Sequence, residues 1–435
     1  MIVPGIGTKI SKLRKILIIS PHYPPSNLAA VHRSRLFAQH LPAFGWTPII
    51  LTVAEDFYEE ALDWNLYKLL PLGQQIEKVN ALRITRPRLI GDIGLRGFFS
   101  LRKKALELVR KQGIDFVYIP VPSFYTSLLG PYLQKKTRVR YGIDYIDPWV
   151  HIFPGTDKTL SRHWWSTKLA RFLEPLALRK ASLVTGVAEG YYKGVISRNP
   201  GLVSRCLFGA MPYGGEEEDH RKVTALDRKP YLFAQKKGLT QLVYAGAMLP
   251  KAYEPLEALF RTISKHPDIF QRMELHFIGT GRTPNDREGY TVRPVAEKHG
   301  LWQKNIFEYP ARIPYLDVLV HLEAANGVFI LGSTEPHYTP SKLYQAVLSR
   351  KPVWAILHQK SDAFGVLEIA GAGISLGISA ENLETIEPAL VSSYRDYLAF
   401  SEAFSFENVN KAAFEKYSAF EVTRTLAALL EKAMQ

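Results

Sequence analysis

Residues 335–345, Glu-Pro-His-Tyr-Thr-Pro-Ser-Lys-Leu-Tyr-Gln, have the composition and placement expected of an anion-binding loop. They follow the apolar run Gly327–Leu331, which predicts a buried parallel strand, and they precede residues 343–349, which predict a helix. A helix that begins just after a strand presents free backbone N–H groups and the positive end of its dipole, where phosphate is the usual biological anion. The polar residues at this start are Thr339, Ser341 and Lys342. The alternative is that Ser341 only caps its own helix.

Two strand-to-glycine turns in the same half of the chain have the residues to hold a diphosphate. Gly246 closes one predicted strand, and the following Lys251 is long enough to reach a phosphate. Gly279 and Gly281 close the next strand and are followed by Arg282, which suits charge-assisted bonds to an anion. The alternative for each is a tight turn with a solvated cation. Neither turn completes the G-x-G-x-x-G pattern, which argues against a dinucleotide-dependent dehydrogenase.

A third group of side chains closes the predicted strand 140–144. Asp144, Asp147 and Trp149 converge there, and strand ends that face a cleft are where polar groups act on a substrate. The alternative is an aspartate that caps a proline turn, with Trp149 in the core. Residues after the first strand are expected at the same cleft, although each alone also suits a structural role: His22, His32 and Arg33.

Several catalytic classes find no support in the sequence. Residues 373–377 match the hydrolase pattern G-x-S-x-G, but Ser375 falls within a predicted strand instead of the sharp turn that the motif requires. No H-E-x-x-H, paired C-x-x-C or P-loop motif occurs. The single cysteine, Cys206, excludes an intrachain disulfide and a cysteine-rich metal site, and it fits a reducing compartment.

The elements that must position these residues alternate between strand-like and helix-like segments, which predicts an α/β protein with parallel sheets. The predicted strands are 15–20, 47–52, 116–120, 140–144 and 183–187 in the first half, and 242–245, 274–278, 306–309, 327–331, 352–357 and 373–376 in the second. Residues 211–237, rich in glycine, proline and charge, separate the halves. We expect two Rossmann-like domains that face each other across a cleft, at 1–220 and 221–415. Residues 416–435 are expected to form a helix that packs back on the N-terminal domain.

The excess positive charge is confined to the first half. Residues 1–215 hold 30 of the 55 Lys and Arg but only 14 of the 41 Asp and Glu, which leaves 25 against 27 for the remainder. The first half is therefore expected to face an anionic partner: nucleic acid, an acidic lipid surface or a phosphate-bearing substrate. No nucleic-acid recognition motif occurs, so nucleic acid is the weakest of these.

Two basic amphipathic helices are predicted, at 98–111 and 162–173. Each either lies on an anionic membrane or packs against the core with a solvated basic face. No apolar run approaches the ~18 residues of a membrane span, and the run 16–19 is too short for a signal peptide. We expect a cytoplasmic protein, with peripheral contact at the inner face of the plasma membrane.

Taken in order, these motifs resemble those of bacterial glycosyltransferases of family 4, which have the GT-B fold. The likeness runs from residue 15 to residue 353 and rests on segments 15–25, 144–149 (Asp-x-x-Asp-Pro-Trp), 184–189, 244–246, 277–281, 339–344 and 350–353. The resemblance implies that the C-terminal domain binds a nucleotide-diphosphate sugar, as substrate and not as cofactor, and that the N-terminal domain binds the acceptor. It also implies retention of the anomeric configuration, with no obligatory metal or cofactor.

The resemblance also implies residue roles. It assigns the reaction centre to Asp147, His337 and Glu335. It assigns donor and diphosphate binding to Gly246, Lys251, Gly279, Gly281, Arg282, Tyr338, Thr339, Ser341, Lys342, Leu343 and Gln345. It assigns acceptor binding to His22, His32, Arg33, Asp144 and Trp149.

The chain departs from the family at three positions. The family commonly has two glutamates separated by seven residues, one at the donor sugar and one at the ribose. The matching residues here are His337 and Gln345, and Glu335 is displaced by two. Gln345 keeps the capacity to hydrogen-bond ribose hydroxyls. Ala247 stands where an arginine often follows the first glycine.

The expected function is a glycosyltransferase that acts on a lipid-linked or polysaccharide acceptor at the cytoplasmic membrane face. One alternative is a nucleotide-sugar epimerase or hydrolase on the same fold. The other is a non-catalytic binding protein, for which the two replaced glutamates argue.

Overall fold

Thirteen strands in the described part of the chain form two parallel sheets. The computed structural model describes residues 13–85, 90–150, 159–225, 228–281, 283, 286–336, 338 and 340–435. The strands are β1 (Arg14–Ile19), β2 (Trp46–Val53), β3 (Gln75–Val79), β4 (Phe116–Val121), β5 (Arg140–Tyr145), β6 (Leu183–Gly186), β7 (Leu207–Ala210), β8 (Thr240–Ala245), β9 (Met273–Ile278), β10 (Ile306–Tyr309), β11 (Gly327–Leu331), β12 (Val353–His358) and β13 (Gly373–Ile378). The first sheet has the order β3-β2-β1-β4-β5-β6-β7, and the second has the order β10-β9-β8-β11-β12-β13.

The eleven strands predicted from the sequence are confirmed to within two residues at either end. The sequence did not predict β3 and β7, which are the two edge strands of the first sheet. Strand β3 reads Gln-Ile-Glu-Lys-Val and is largely solvent-accessible, and β7 reads Leu-Phe-Gly-Ala. Strand β3 lacks the continuous apolar run of a strand buried on both faces, and β7 is only four residues long, with none of the four fully buried.

The described residues also contain sixteen α-helices. They are α1 (Ala29–His40), α2 (Ile93–Arg96), α3 (Phe98–Gln112), α4 (Leu129–Thr137), α5 (Arg162–Leu178), α6 (Glu189–Arg198), α7 (Glu217–Ala225), α8 (Tyr253–Lys265), α9 (Pro267–Phe270), α10 (Arg293–Lys298), α11 (Tyr315–Ala324), α12 (Lys342–Leu348), α13 (Val366–Ala370), α14 (Glu387–Ala403), α15 (Lys411–Glu415) and α16 (Ala419–Met434). Helix α7 lies inside the stretch 211–237, so that connection is partly helical and not simply a linker.

Alternating residues of β1 serve two cores, one on each face of the first sheet. Leu17 and Ile19 pack into a cluster that includes residues of α3 and α4. Ile16 and Ile18 pack on the opposite face, in a cluster with residues of α1 and α16. All four side chains are fully buried, and each such burial contributes about 1.5–3 kcal/mol. The sheet is therefore covered on both faces, as a parallel sheet requires.

The chain crosses between the two sheets at two adjacent points. The backbone N–H of Gly215 donates to the carbonyl of Tyr417 at 2.9 Å, and the N–H of Ala419 donates to the carbonyl of Gly215 at 2.8 Å. Helix α16 then packs against α1, β6 and β7 of the first sheet, and its Glu431 forms an ion pair with Arg14. The domain boundaries at residues 220 and 415 stay predictions.

Each sheet has one point where the strand order reverses. In the first sheet β1 lies between β2 and β4, and in the second β8 lies between β9 and β11. Ligands of open parallel sheets bind in the crevice outside the carboxyl ends of the strands at such a point. A ligand site is therefore expected at the loops that follow β1, β8 and β11.

The two basic helices differ in their packing. Helix α3 buries Leu101, Ala105, Leu108 and Val109, which confirms the core-packing alternative for it. Helix α5 leaves four of its large apolar residues exposed: Trp165, Leu169, Phe172 and Leu176. Within the described ranges, no helix combines the length and apolarity needed to cross a membrane.

One further prediction from the sequence, that for Ser375, is confirmed. Ser375 lies in the middle of β13 and not at a strand-to-helix turn, so the geometry of a hydrolase nucleophile is absent at this serine. Cys206 is buried, and this burial raises the pKa of its thiol to about 12. Its reactivity at neutral pH is correspondingly low.

Candidate functional site

A cleft of about 320 Å³ lies where loops of the two sheets meet. From the side of the first sheet it is lined by Asn27, Ala29, His32, Leu36, Tyr213 and Gly214. From the second sheet it is lined by the ends of β8, β9 and β11, by α11 and by the start of α12. The residues of the sequence prediction that line it are His32, Gly246, Gly279, Tyr338, Ser341, Lys342 and Gln345.

The ammonium of Lys342 is the most unusual group in this cleft. Its Nζ is buried and has no hydrogen-bond partner within the described residues. It lies 3.8 Å from the centroid of the Tyr244 ring, which supplies a cation–π contact. Burial lowers the pKa of this amine from its usual value to about 7. A cation that is enclosed and unpaired in the free protein is suited to bind an anion that enters the cleft.

Gly246 leaves the space in which this ammonium lies. The residue has φ +129°, a backbone conformation that side chains rarely adopt. A Cβ at this position would lie 2.9 Å from Nζ and 3.2 Å from Cε of Lys342. Glycine therefore serves both the turn after β8 and the close approach of the lysine.

Ser341 precedes α12 but its hydroxyl makes no capping hydrogen bond in the described structure. The alternative that Ser341 only caps its own helix is therefore wrong. Its side chain lines the cleft beside Lys342. Leu343, the next residue, is fully buried in the core of the second sheet, so only its backbone is available to a ligand.

The loop after β10 brings a second cation to the cleft, beside the turn that follows β9. Gly279 has φ +73°, and the nearest atom to a Cβ there would be the Cα of Arg312, at 3.8 Å. Arg312 lines the cleft and donates from Nη1 to the carbonyl of Asn27 at 2.8 Å. Burial lowers its pKa, but a guanidinium stays charged at neutral pH. Gly281 lies behind the turn, where its N–H donates to the carbonyl of Pro310 at 2.9 Å.

Gln345 is held by a histidine from the connection between the sheets. His220 of α7 has Nε2 2.9 Å from Oε1 of Gln345 and Nδ1 2.9 Å from Oε1 of Glu323. A carboxylate only accepts, so Nδ1 donates to Glu323, and a neutral ring then accepts at Nε2. The hydrogen bond therefore requires the Gln345 amide to turn its NH2 group toward the ring, which leaves its carbonyl oxygen for the other side. The amide of Gln345 thus meets the cleft in a defined orientation.

Lys251 and Glu335 contact each other across the loop ends. The ammonium of Lys251 lies 3.7 Å from Oε1 of Glu335, and the lysine is 40% exposed. The backbone N–H of Glu335 donates to the hydroxyl of Ser333 at 3.2 Å. The pair is near the site but does not line the cleft, and Lys251 already has a carboxylate partner.

Asp147 faces the cleft from the first sheet. Burial raises the pKa of Tyr338 and of Tyr213, and the nearby carboxylate of Asp147 raises both further. Since both tyrosines line the cleft, Asp147 lies at its edge. Its enclosed surroundings raise its own pKa above the usual carboxyl value, although the residue keeps solvent access. Trp149 lies farther along, stacked on Phe124 with ring centroids 5.5 Å apart.

Arg33 and Asp144 do not reach the cleft in the described structure. Both side chains are fully buried, and their ion pair is 2.6 Å long from Nε to Oδ2. Arg33 also donates to the carbonyls of Met211 and Pro212, at 3.0 and 2.8 Å. This pair supports the connection between the sheets, so the geometry revises its predicted contact with an acceptor to a structural role.

The two histidines of the prediction differ in position. His22 is held outside the cleft, with Nδ1 3.0 Å from Oε1 of Glu60. His32 lines the cleft and lies against Tyr315, with ring centroids 4.3 Å apart. Burial, with a smaller effect of the Arg35 charge, lowers the pKa of His32 to about 3, so its ring is neutral. Its Nδ1 is buried and lacks a partner in the described ranges.

The sequence did not identify Arg312, Tyr213, Asn27 or His220 as site residues. Arg312 follows a four-residue strand with no glycine motif, and the others lie in loops or in the connection between the sheets. Only the fold brings them to the cleft. Three predicted residues, Arg282, His337 and Thr339, lie outside the described residues, and their roles stay predictions.

Two Rossmann-like units joined at a shared cleft, with strand orders of the same type, are the architecture of the GT-B fold. No family model matches the chain, and no curated protein matches it.

Solved structures match the chain over almost its whole length. HepE of Anabaena in complex with UDP-glucose is 14% identical, with a TM-score of 0.60 over 96% of this chain and 99% of that chain. A glycosyltransferase of Rickettsia africae is 14% identical, with a TM-score of 0.59 over 97% and 99%. A putative UDP-N-acetylglucosamine 2-epimerase of Listeria monocytogenes is 11% identical, with a TM-score of 0.51 over 97% and 96%. The structural likeness shows the fold, and at identities this low it shows the fold alone. The predicted fold class is confirmed.

Proposed function

We propose that this protein is a glycosyltransferase that moves a sugar from a nucleotide-diphosphate sugar to an acceptor. The observation that carries the proposal is the buried ammonium of Lys342 beside Gly246, which has no hydrogen-bond partner among the described residues. The crevice at the strand-order reversal of the second sheet has the size and charge to take a diphosphate there. HepE, with the same fold, binds UDP-glucose, which supports this class of donor.

The proposed reaction places developing charge where the cleft has cations. The bond from the anomeric carbon to the diphosphate breaks, and the negative charge that remains on the nucleoside diphosphate is stabilised by Lys342 and Arg312. The acceptor hydroxyl forms the new bond to the same carbon and gives its proton to Asp147. The pKa of Asp147 is raised above the usual carboxyl value, which favours the uptake of a proton. We propose retention of configuration, without a metal, following the resemblance to family 4.

The acceptor is proposed to be a glycan or a lipid-linked glycan at the cytoplasmic face of the membrane. The excess of positive charge in residues 1–215 supports an anionic surface or a phosphate-bearing acceptor on that side of the cleft. Trp149 and Phe124 offer stacked aromatic faces near Asp147, of the kind that pack against sugar rings.

A panel of nucleoside diphosphates and their sugars tests the donor assignment. We expect at least one nucleoside diphosphate to raise the melting temperature, because a ligand that binds only the folded state stabilises it by mass action. The matching nucleotide sugar should turn over only when an acceptor is added. If no nucleotide shifts the melting temperature and no transfer occurs, the proposal is wrong.

The likeness to a putative epimerase favours one alternative, in which a nucleotide sugar is epimerised or hydrolysed on the same fold. Turnover of the donor with no acceptor present would select it. The residues Gln345 and His337, where family 4 has glutamates, favour a second alternative, a binding protein without catalysis. Nucleotide binding without any turnover would select that one.

His220 is expected to be a positioning residue for the nucleotide. In the variant His220→Ala, Gln345 loses the hydrogen bond that orients its amide, and we expect affinity for the bound nucleoside diphosphate to fall about fivefold. Affinity for the 2′-deoxy nucleotide should fall less, because Gln345 is assigned to the ribose hydroxyls. Calorimetric titration measures both affinities.

The matched control for that variant is His266→Ala. His266 also binds a carboxylate, with Nε2 2.9 Å from Oε1 of Glu387, but it lies outside the cleft. Its loss should leave both affinities unchanged. Equal losses for the ribose and deoxyribose nucleotides in His220→Ala would contradict the assignment.

A further inference from the structure

Helix α5 has an inverted distribution of apolar side chains. Its buried residues, on the side that packs against α4 and the turn Phe124–Leu128, are Ala170, Glu174, Ala177 and, at the C-terminal end, Leu178. Its solvent face carries Trp165, Leu169, Phe172 and Leu176, which are 58%, 44%, 68% and 43% exposed. A helix that packs only against its own protein turns its large apolar residues inward, as α3 does. An exposed apolar row of this kind marks an interaction surface.

The four exposed residues form one continuous row. Their spacings of four, three and four residues place them on the same helix face. At a rise of 1.5 Å per residue the row is about 16 Å long. It is thus a single strip along the helix and not a set of scattered side chains.

Within the described part of α5, cations and no free carboxylate accompany this row. Lys168 and Arg171 lie between its members and are exposed, and Arg179 and Lys180 follow at the end of the helix. The only acidic residue in the helix is Glu174, which is buried and bound by Arg198 at 2.8 Å. Large apolar residues with flanking cations are typical of helices that lie in the interface of a membrane. A second copy of this face would instead bring cations against cations.

We propose that α5 is the surface by which this protein docks on an anionic lipid bilayer. Trp165, Leu169, Phe172 and Leu176 enter the boundary between headgroups and acyl chains, and Lys168 and Arg171 contact the anionic headgroups. The docking surface is inferred from the side chains of α5 alone. Only its purpose, to reach a lipid-linked acceptor, rests on the proposed function. Because α5 packs on the turn Phe124–Leu128 after β4, docking brings a lipid-linked acceptor to the side of the cleft where Trp149 and Asp147 lie.

Vesicle sedimentation with the full chain tests the proposal. Wild-type protein is expected to sediment with vesicles of one part phosphatidylglycerol to two parts phosphatidylcholine, and much less with phosphatidylcholine alone. The double variant Trp165→Ser/Phe172→Ser should lose about tenfold or more in partitioning, since two large apolar side chains no longer leave water. The double variant Lys168→Gln/Arg171→Gln should lose about fivefold per removed cation, and added salt should mimic it.

The variant Ile369→Ser is the matched control, because Ile369 is 50% exposed on α13 of the second sheet. It should sediment as the wild type does. The proposal is overturned if the wild type does not bind anionic vesicles, or if Trp165→Ser/Phe172→Ser binds them undiminished. A dimer that this variant dissolves, with no vesicle binding, would overturn it in favour of self-association.

Nucleotide affinity measured on the same preparations separates this proposal from the proposed function. Trp165→Ser/Phe172→Ser should keep wild-type nucleotide affinity, which also shows that the variant is folded. Vesicle binding without any nucleotide binding would refute the proposed function and leave the docking surface intact.

Discussion

Replacing Lys342 with methionine is expected to weaken nucleoside diphosphate binding by about 10- to 100-fold and to raise the melting temperature of the free protein. A hydrogen bond to a charged group contributes about 1.5–3 kcal/mol, which corresponds to this loss. The same ammonium is buried and unpaired in the free protein, so methionine removes a desolvation cost of about 1–3 kcal/mol. Calorimetric titration and thermal unfolding measure the two effects.

The pH dependence of binding tests the same lysine. The pKa of Lys342 in the free protein is about 7, and only the ammonium form attracts a diphosphate. Affinity attributable to this residue is therefore fully present below pH 7 and falls by up to tenfold per pH unit above it. Stability changes in the opposite sense, because the unfolded chain keeps this proton up to the usual lysine pKa of about 10.4. The free wild-type protein should gain stability from pH 7 upward relative to Lys342→Met.

The variant Lys351→Met is the control for both measurements. Lys351 is a partly buried lysine in the same half of the chain, and it does not line the cleft. Its replacement should leave nucleotide affinity unchanged. Wild-type affinity in Lys342→Met would remove the central support for a diphosphate site.

Replacing Gly246 with alanine is expected to reduce nucleotide affinity about tenfold and stability by about 1–2 kcal/mol. The stability cost follows from φ +129°, which an L side chain adopts only with strain. The loss of affinity has a separate cause: the new methyl group would lie 2.9 Å from Nζ of Lys342, and the flexible end of that lysine must move away. Denaturant unfolding and titration with the nucleotide measure the two losses.

Gly238→Ala is the control that separates backbone strain from displacement of the lysine. Gly238 has φ +82°, and a Cβ there would meet nothing within 4 Å. This variant should show a comparable loss of stability with unchanged nucleotide affinity. An equal loss of affinity in both variants would mean that strain, and not the displaced ammonium, weakens binding.

The order and type of the elements were predictable because buried parallel strands leave a local signal. Continuous apolar runs such as Gly327–Leu331 identify strands covered on both faces, and eleven of the thirteen were predicted. Strand β3 was not predicted because an edge strand can have polar residues on one face and so lacks the continuous apolar run. Gly246 was predicted because it ends an apolar strand, and Lys342 because it stands at a helix start after a strand. Gln345 was predicted from the resemblance to family 4.

Contacts between distant parts of the chain carried no such signal. The pairing of Arg33 with Asp144 joins helix α1 to strand β5, and nothing near either residue in the sequence indicates that it is buried. The hydrogen bond of His220 to Gln345 likewise joins α7 to α12. The exposure of Trp165 and Phe172 depends on which face of α5 packs against α4 and the turn Phe124–Leu128, and apolar residues on both faces of α5 leave that choice open in the sequence.

The return of α16 to the first sheet has a consequence for how the protein is made on the ribosome. Ile16 and Ile18 emerge early, but the helix that covers their face of the sheet begins at Ala419. Residues 211–418 must be translated in between, which takes about 10–40 s at 5–20 residues per second. During that interval α1 covers only part of this face and the rest stays exposed, so the first unit to be synthesised is completed only after the second. Chaperone binding to ribosome-bound chains should therefore persist until α16 has left the exit tunnel.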